Sequence, residues 1–290
     1  MKLQGIFCDA ATPFDHTGSL YRTKIEHNIA KWNMTNLAGY AVGSVAGEGA
    51  LLSAEEQAEL WRLAAAQAPA ERTLLAGILS QGVHESAAHA GRAASCGYHA
   101  VVAETPHYRR SAEVAILYYR SLADRSALPV IVANRPSLTG VDLSVEDLLA
   151  VAAHPRVAGV LECTGDIGKI ARLAREARPE FAVLCGLERA LWESLKAGAS
   201  GAILAFSSAA PYATIALWEA FRTREEEAGI DWQARIAHPA ELVTEVHGVA
   251  GLKCAMDLNG YYGGPPRLPS CAASAEARRE ITEAFHGLKS

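Results

Sequence analysis

The sequence predicts a (β/α)8 barrel with a C-terminal helical extension, and three observations carry that reading. Eight short β-type runs alternate with longer stretches of helical periodicity. Most of the runs are apolar throughout, as strands must be when one face meets a packed interior and the other a layer of helices. From the second run onward they start 20 to 33 residues apart: Arg72 follows Gly39 by 33 residues and Gly201 follows Phe181 by 20. That spacing fits successive strand–helix units, and eight such units point to a closed barrel rather than an open doubly wound sheet. The first run carries no Gly-x-Gly-x-x-Gly, which weakens a dinucleotide-binding reading.

In order, the predicted strands are GIFCDAATPF from Gly5, GYAVGSVAG from Gly39, RTLLAGI from Arg72, HAVVAETP from His99, PVIVANRP from Pro129, VAGVLECTG from Val157, FAVLCGLE from Phe181 and GAILAFSS from Gly201. The helix SAEEQAELWRLAAAQ opens with Ser53 and Glu56 at the spacing of a capping box, where each side chain satisfies the other's backbone N–H. The helix HESAAHAGRAAS runs to Gly97, a residue suited to a left-handed cap. Gly39 and Gly198 are read the same way, each closing a helix and opening a strand. After Pro211 the pattern is helical to the end, broken at NGYYGGPPRLP. The barrel is assigned to residues 1–210, its eighth helix continues to about 226, and 227–290 form the extension.

The chain has 290 residues, 50% of them hydrophobic, and a formal charge of −5. No basic block interleaves with aromatics, so nucleic acid is not expected as a partner. No apolar run reaches membrane-spanning length, and MKLQGIF lacks the apolar stretch of a signal peptide. Six cysteines lie scattered without Cys-x-x-Cys spacing and read as reduced thiols of a cytoplasmic protein. No His/Asp/Glu cluster has metal-ligand spacing, and neither metal nor cofactor is expected.

In such barrels the site forms at the C-terminal ends of the strands. Those ends supply Thr12, Ser44, Glu48, Glu104, His107, Tyr108, Asn134, Arg135, Glu162, Cys163, Glu188, Ser207 and Ser208. Thr12–Phe14 (TPF), GSVAGEGALLSAEE from Gly43, TPHYRR from Thr105, NRPSLTGVDLS from Asn134 and GVLECTGD from Gly159 sit in order at compatible spacing. Together they resemble the dihydrodipicolinate synthase/N-acetylneuraminate lyase family over roughly the whole chain. The resemblance implies a barrel enzyme, a class I aldolase or lyase of pyruvate or related 2-oxo acids, assembled as a homo-oligomer (dimer or tetramer). It also implies a Schiff-base lysine at the end of strand six, a proton-relaying tyrosine on strand five, and a strand-two turn that holds the substrate carboxylate.

The sequence departs from that pattern where the chemistry sits. Leu161 stands at the lysine position and Ala133 at the tyrosine position. Leu138 stands where one branch has an arginine. Val45 and Ala46 replace a hydroxyl–glycine pair beside Ser44. Tyr108 matches the tyrosine that in the family reaches into the neighbouring subunit. The expected substrate pocket therefore comprises Ser44, Val45, Tyr108, Ala133, Arg135, Leu161 and Ser207, for a small carboxylate or oxo acid. The candidate acid–base groups are Glu104, Tyr108 and Glu162. Glu162 is alternatively held in polar contacts away from the pocket, and Glu104 is alternatively a salt-bridge partner. Arg135 shares its side of the strand with Ala133 and either enters the mouth or faces outward at an interface. Cys163 is a nucleophile or a buried thiol. Three functions remain open: a divergent lyase without an imine, a non-catalytic small-molecule-binding protein on the same scaffold, and a structural oligomer with an empty, apolar barrel mouth.

Overall fold

The computed structural model describes residues 3–288. Eight parallel strands close into one barrel in chain order: β1 (Gly5–Ala10), β2 (Gly39–Val42), β3 (Thr73–Ile78), β4 (Ala100–Glu104), β5 (Val130–Asn134), β6 (Val157–Glu162), β7 (Ala182–Cys185) and β8 (Gly201–Leu204). β8 pairs back onto β1, with Gly5 opposite Gly201. The helices are α1 (Arg22–Asn33), α2 (Ala54–Gln67), α3 (Val83–Ser95), α4 (Ala112–Arg125), α5 (Pro136–Thr139), α6 (Val145–Ala152), α7 (Ile167–Glu176), α8 (Leu191–Lys196), α9 (Pro211–Thr223), α10 (Glu226–Glu241), α11 (Gly248–Leu258) and α12 (Ala275–Ala284). The predicted barrel is observed, and α10 to α12 follow it as the helical extension.

Period-two alternation splits the strand residues into two apolar layers. Phe7, Leu75, Ile131, Leu161, Leu184 and Ile203 fill the barrel interior. The other face of the strands packs against the helices, where Trp32 and Trp61 are fully buried. Each indole also ties its helix to the mouth end of the barrel. The Trp32 Nε1 donates to the Ser208 carbonyl at 3.2 Å, and the Trp61 Nε1 to that of Val42 at 3.0 Å. Truncating either to alanine should cost about 3–5 kcal/mol in lost burial and residual cavity.

Local cues hold in most places. Ser53 and Glu56 form the reciprocal cap, with N–H to side-chain oxygen distances of 3.2 and 2.9 Å. Gly97 and Gly198 adopt positive φ, as a left-handed stop requires. Gly39 is different: α1 already ends at Asn33, and Gly39 is a regular β2 residue. The turn after β2 depends on two other glycines. Gly43 has φ +71°, and a Cβ on Gly77 would lie 2.4 Å from the Ser44 Cα. The turn thus lies against the end of β3, which aims Ser44 towards β1.

The C-terminal extension covers the mouth. Residues from Val243 to Leu252 line its cavity. The chain after α11 then crosses the loops that follow β1 and β2. There Arg267 donates to the Leu51 carbonyl at 2.8 Å and to both Glu56 carboxylate oxygens at 2.8 and 2.6 Å. No helix among the described residues is long and apolar enough to cross a membrane.

Candidate active site

A cavity of about 720 Å³ opens at the C-terminal ends of the strands. Its walls come from Asp9 near the end of β1, Val45 to Leu51 after β2, Arg135 to Leu138 after β5, Cys163 after β6, Gly186 to Arg189 after β7 and the C-terminal extension. Below it, Ala133 and Leu161 are buried in the apolar interior and stand opposite each other in the β5–β6 register. The position that the resemblance gives to a Schiff-base lysine is therefore a hydrocarbon packed among hydrocarbons.

Arg135 lies on the inner side of the mouth, not at an outer interface. Its Nε approaches the Glu104 Oε1 at 3.4 Å, and both side chains are largely buried. No hydrogen bond from its two terminal nitrogens to another described residue occurs. Glu104 takes the salt bridge and remains incompletely satisfied, because its Oε2 is buried without a hydrogen-bond partner. Burial pushes the Glu104 carboxyl up; the Arg135 charge pulls it down and Asp9 pushes it up again. The net direction is upward, so Glu104 holds a proton more readily than an ordinary glutamate.

Asp9 completes the group and was not among the residues singled out by sequence. It is the sole charged residue of β1, a strand buried along its whole length. An acid inside an otherwise apolar strand was the available cue. Its Oδ1 accepts the Ser44 hydroxyl. Burial raises the Asp9 carboxyl, opposed by Arg135 and by hydrogen bonds from Ser44 and the Ala46 amide. Glu188, beside it in the cavity wall, accepts the Phe206 amide at 3.0 Å and is raised for the same first reason, burial.

The candidates thus divide. Val45 and Arg135 line the cavity, Glu104 joins them through Arg135 and Ser44 through Asp9, while Ala133 and Leu161 are packed in the barrel interior and do not line it. Three others lie elsewhere. Glu162 points out of the barrel, where it accepts the Asn134 amide and the Thr164 N–H, each at 2.8 Å, with the Lys169 Nζ at 3.7 Å. Residue 162 alternates with inward-facing Leu161, which explains its direction. Ser207 shares a hydrogen bond with Thr214 at 2.9 Å in the first turn of α9 and does not line the cavity. Tyr108 is 73% exposed on the loop before α4 and likewise stays out of the cavity. Cys163 lines the cavity as a buried thiol whose pKa is pushed up by burial, the opposite of what a nucleophile needs.

No described lysine lines the cavity. Lys2 and Lys289 lie outside the described residues. Lys169 reaches Asp142 at 2.6 Å behind the barrel wall. Lys253 of α11 follows the lining residue Leu252, and its Nζ is held by the Glu48 Oε2 at 2.5 Å and the Pro265 carbonyl at 3.0 Å. Among the described residues, no group of three His, Cys, Asp or Glu side chains is placed to hold a metal ion.

A closed parallel barrel with its cavity at the C-terminal strand ends is the architecture of the TIM-barrel enzymes. Within that class the chain belongs to the dihydrodipicolinate synthetase family, whose model matches residues 2–287. It is 30% identical over 287 residues to a 4-hydroxy-tetrahydrodipicolinate synthase of Exiguobacterium sp., covering 97% of this chain and 96% of that one. Among solved structures, a dihydrodipicolinate synthase from Bacillus anthracis superposes with a TM-score of 0.95 at 20% identity, over 100% of both chains. A monomeric dihydrodipicolinate synthase variant superposes with a TM-score of 0.91 at 22% identity, over 99% of this chain and 97% of that one.

Proposed function

We propose that this chain binds a small oxo or carboxylic acid at the barrel mouth and acts on it as a divergent lyase without forming an imine. The observation that carries the reading is Arg135, a largely buried guanidinium that lines the cavity and whose terminal nitrogens have no acceptor among the described residues. Two parallel N–H donors match a carboxylate bidentately. Glu104 supplies the acid–base group. Burial raises its carboxyl, its Oε2 is free of hydrogen bonds, and the neighbouring guanidinium stabilises negative charge developing on the ligand. A second reading, a binding protein without turnover, is favoured by buried, apolar Leu161 and Ala133, which offer neither nucleophile nor relay hydroxyl.

The test combines trapping with binding. Borohydride with pyruvate should leave every lysine peptide, including that of Lys253, without added mass; an adduct at any of them sinks the imine-free mechanism. Calorimetry with small 2-oxo acids should give binding that Arg135→Gln lowers by about 10- to 100-fold, as loss of one charged bidentate contact requires. Undiminished binding in that variant removes Arg135 from the site. Turnover of any bound acid selects the lyase over the binding protein. The same reading takes the protein as a cytoplasmic homo-oligomer, dimer or tetramer. Six free cysteines support the compartment, and exposed Tyr108 and Leu117 support the assembly.

A further inference from the structure

We propose that the ligand of this mouth is an amino-bearing carboxylate, with its carboxylate on Arg135 and its ammonium between Asp9 and Glu188. The inference rests on the reading of Arg135 as a carboxylate anchor and adds the identity of the second ligand group. Its basis is the pairing of charge around the cavity. Glu48 faces Lys253 at 2.5 Å, Glu245 faces Arg189 at 3.2 Å, and Glu104 faces Arg135 at 3.4 Å. Asp9 and Glu188 are left over. Both line the cavity, both are at most 5% exposed, and neither has a salt-bridge partner among the described residues. Their hydrogen-bonding partners are neutral: the Ser44 hydroxyl and the Ala46 amide for Asp9 and the Phe206 amide for Glu188. The charge of Arg135 acts on both, but that guanidinium already faces Glu104.

A buried carboxylate without a cation is costly as an anion. The mouth therefore offers two acids that lack a cation and one guanidinium with donors to spare. A dicarboxylate or a phosphate would satisfy Arg135 while bringing further negative charge against Asp9 and Glu188. A hydroxy or oxo acid would satisfy Arg135 alone. An amino acid answers both demands, and its ammonium sits one carbon from its carboxylate. Because burial raises the Asp9 and Glu188 carboxyls, an arriving ammonium lowers them and drives bound protons into solvent.

The probes are 2-oxo, 2-hydroxy and 2-amino acids on the same three-, four- and five-carbon chains, both enantiomers of each chiral acid included. They are titrated by calorimetry at pH 6 in buffers of different ionisation heat, using the intact chain. The expected result is that an amino acid binds at least about tenfold more tightly than its oxo and hydroxy counterparts and that it alone releases protons. Glu188→Gln should bring the amino acid affinity down towards that of the oxo acid. If that variant does not fold, proton release by the unaltered protein still decides. Oxo acids binding as well as amino acids, without proton release, overturn the inference and leave the Arg135 anchor standing. No binding by any of the acids overturns both.

Discussion

Two clusters of buried charge flank the barrel mouth, and they are built differently. On the β1–β2 side, Glu48 takes a left-handed backbone conformation (φ +54°), and its carboxylate is claimed twice, by the Lys253 ammonium and by the Arg267 N–H at 2.8 Å. Lys253 and Arg267 both stack over the Phe14 ring, at 4.5 and 4.3 Å from its centroid. Every charge there has a protein partner, and the cluster fastens the C-terminal extension to the loops. On the β4–β5 side, Arg135 and Glu104 share one 3.4 Å salt bridge with donors and an acceptor left unmet, and Asp9 of β1 has no salt-bridge partner among the described residues. Burial alone does not distinguish a brace from a site; completeness of pairing does.

The largest effect expected is on the braced side. Lys253→Met leaves Glu48 buried without a counter-ion and should cost about 3–5 kcal/mol of folding stability. Adding Glu48→Gln to that variant should return part of the loss, because the uncompensated charge is gone. Urea unfolding of the two single variants and the double variant measures this. A loss under about 1 kcal/mol for Lys253→Met would erase the contrast between the clusters.

Arg135→Gln should behave in the opposite way. Glu104 can answer the loss of its partner by keeping a proton, since burial already raises it. Stability should change by about 1 kcal/mol or less, while carboxylate binding falls as stated above. A destabilisation as large as that of Lys253→Met would make Arg135 a second brace.

A smaller effect is expected in the pH dependence. Asp9, Glu104 and Glu188 have raised folded-state pKa values, with burial the largest cause in each. Their stabilisation is fully present below the ordinary carboxylate pKa of about 4 and is lost as pH rises through the raised values. Glu188→Gln removes one of these groups. The unfolding free energy of the unaltered protein should therefore fall relative to that variant as pH rises from about 4.5 to 8. A pH-independent difference would show that Glu188 titrates alike in the folded and unfolded chain.

The fold was legible because it rests on patterns local to the chain. The apolar runs and the Ser53–Glu56 cap each needed only a few neighbouring residues. Alternation along β5 likewise put Arg135 on the side of Ala133 but left open whether that side enters the mouth. What escaped depends on residues far apart in sequence. Asp9 was read as part of an apolar strand, and its role needs Ser44 and Arg135 beside it. Lys253 carries no local cue to its role, because its partner Glu48 lies 205 residues earlier (253 − 48). Glu162 kept two readings until Asn134 and Lys169 were found behind the wall. The roof over the mouth follows from the return of the extension across the barrel, which no local pattern encodes.

Tyr108 gives the smallest expected effect on folding and the sharpest test of where the comparison ends. Its side chain is 73% exposed, and its N–H donates to the Gln81 Oε1 at 3.2 Å, a bond that survives loss of the ring. Tyr108→Ala should therefore shift folding stability by about 0.5 kcal/mol or less. If the chain is a homo-oligomer with this loop at a subunit contact, the exposed ring becomes a buried anchor, and the same variant should weaken association by about 1–3 kcal/mol. Aromatic and arginine enrichment in TPHYRR is the composition of such contacts. Sedimentation velocity across a dilution series separates the two effects. A concentration-independent monomer removes the interface from the account. Unchanged association in Tyr108→Ala keeps the oligomer and moves its contact off this loop. Weakened association with unchanged folding puts Tyr108 in a third group: a residue with no role inside its own subunit that becomes structural only when a second copy covers it.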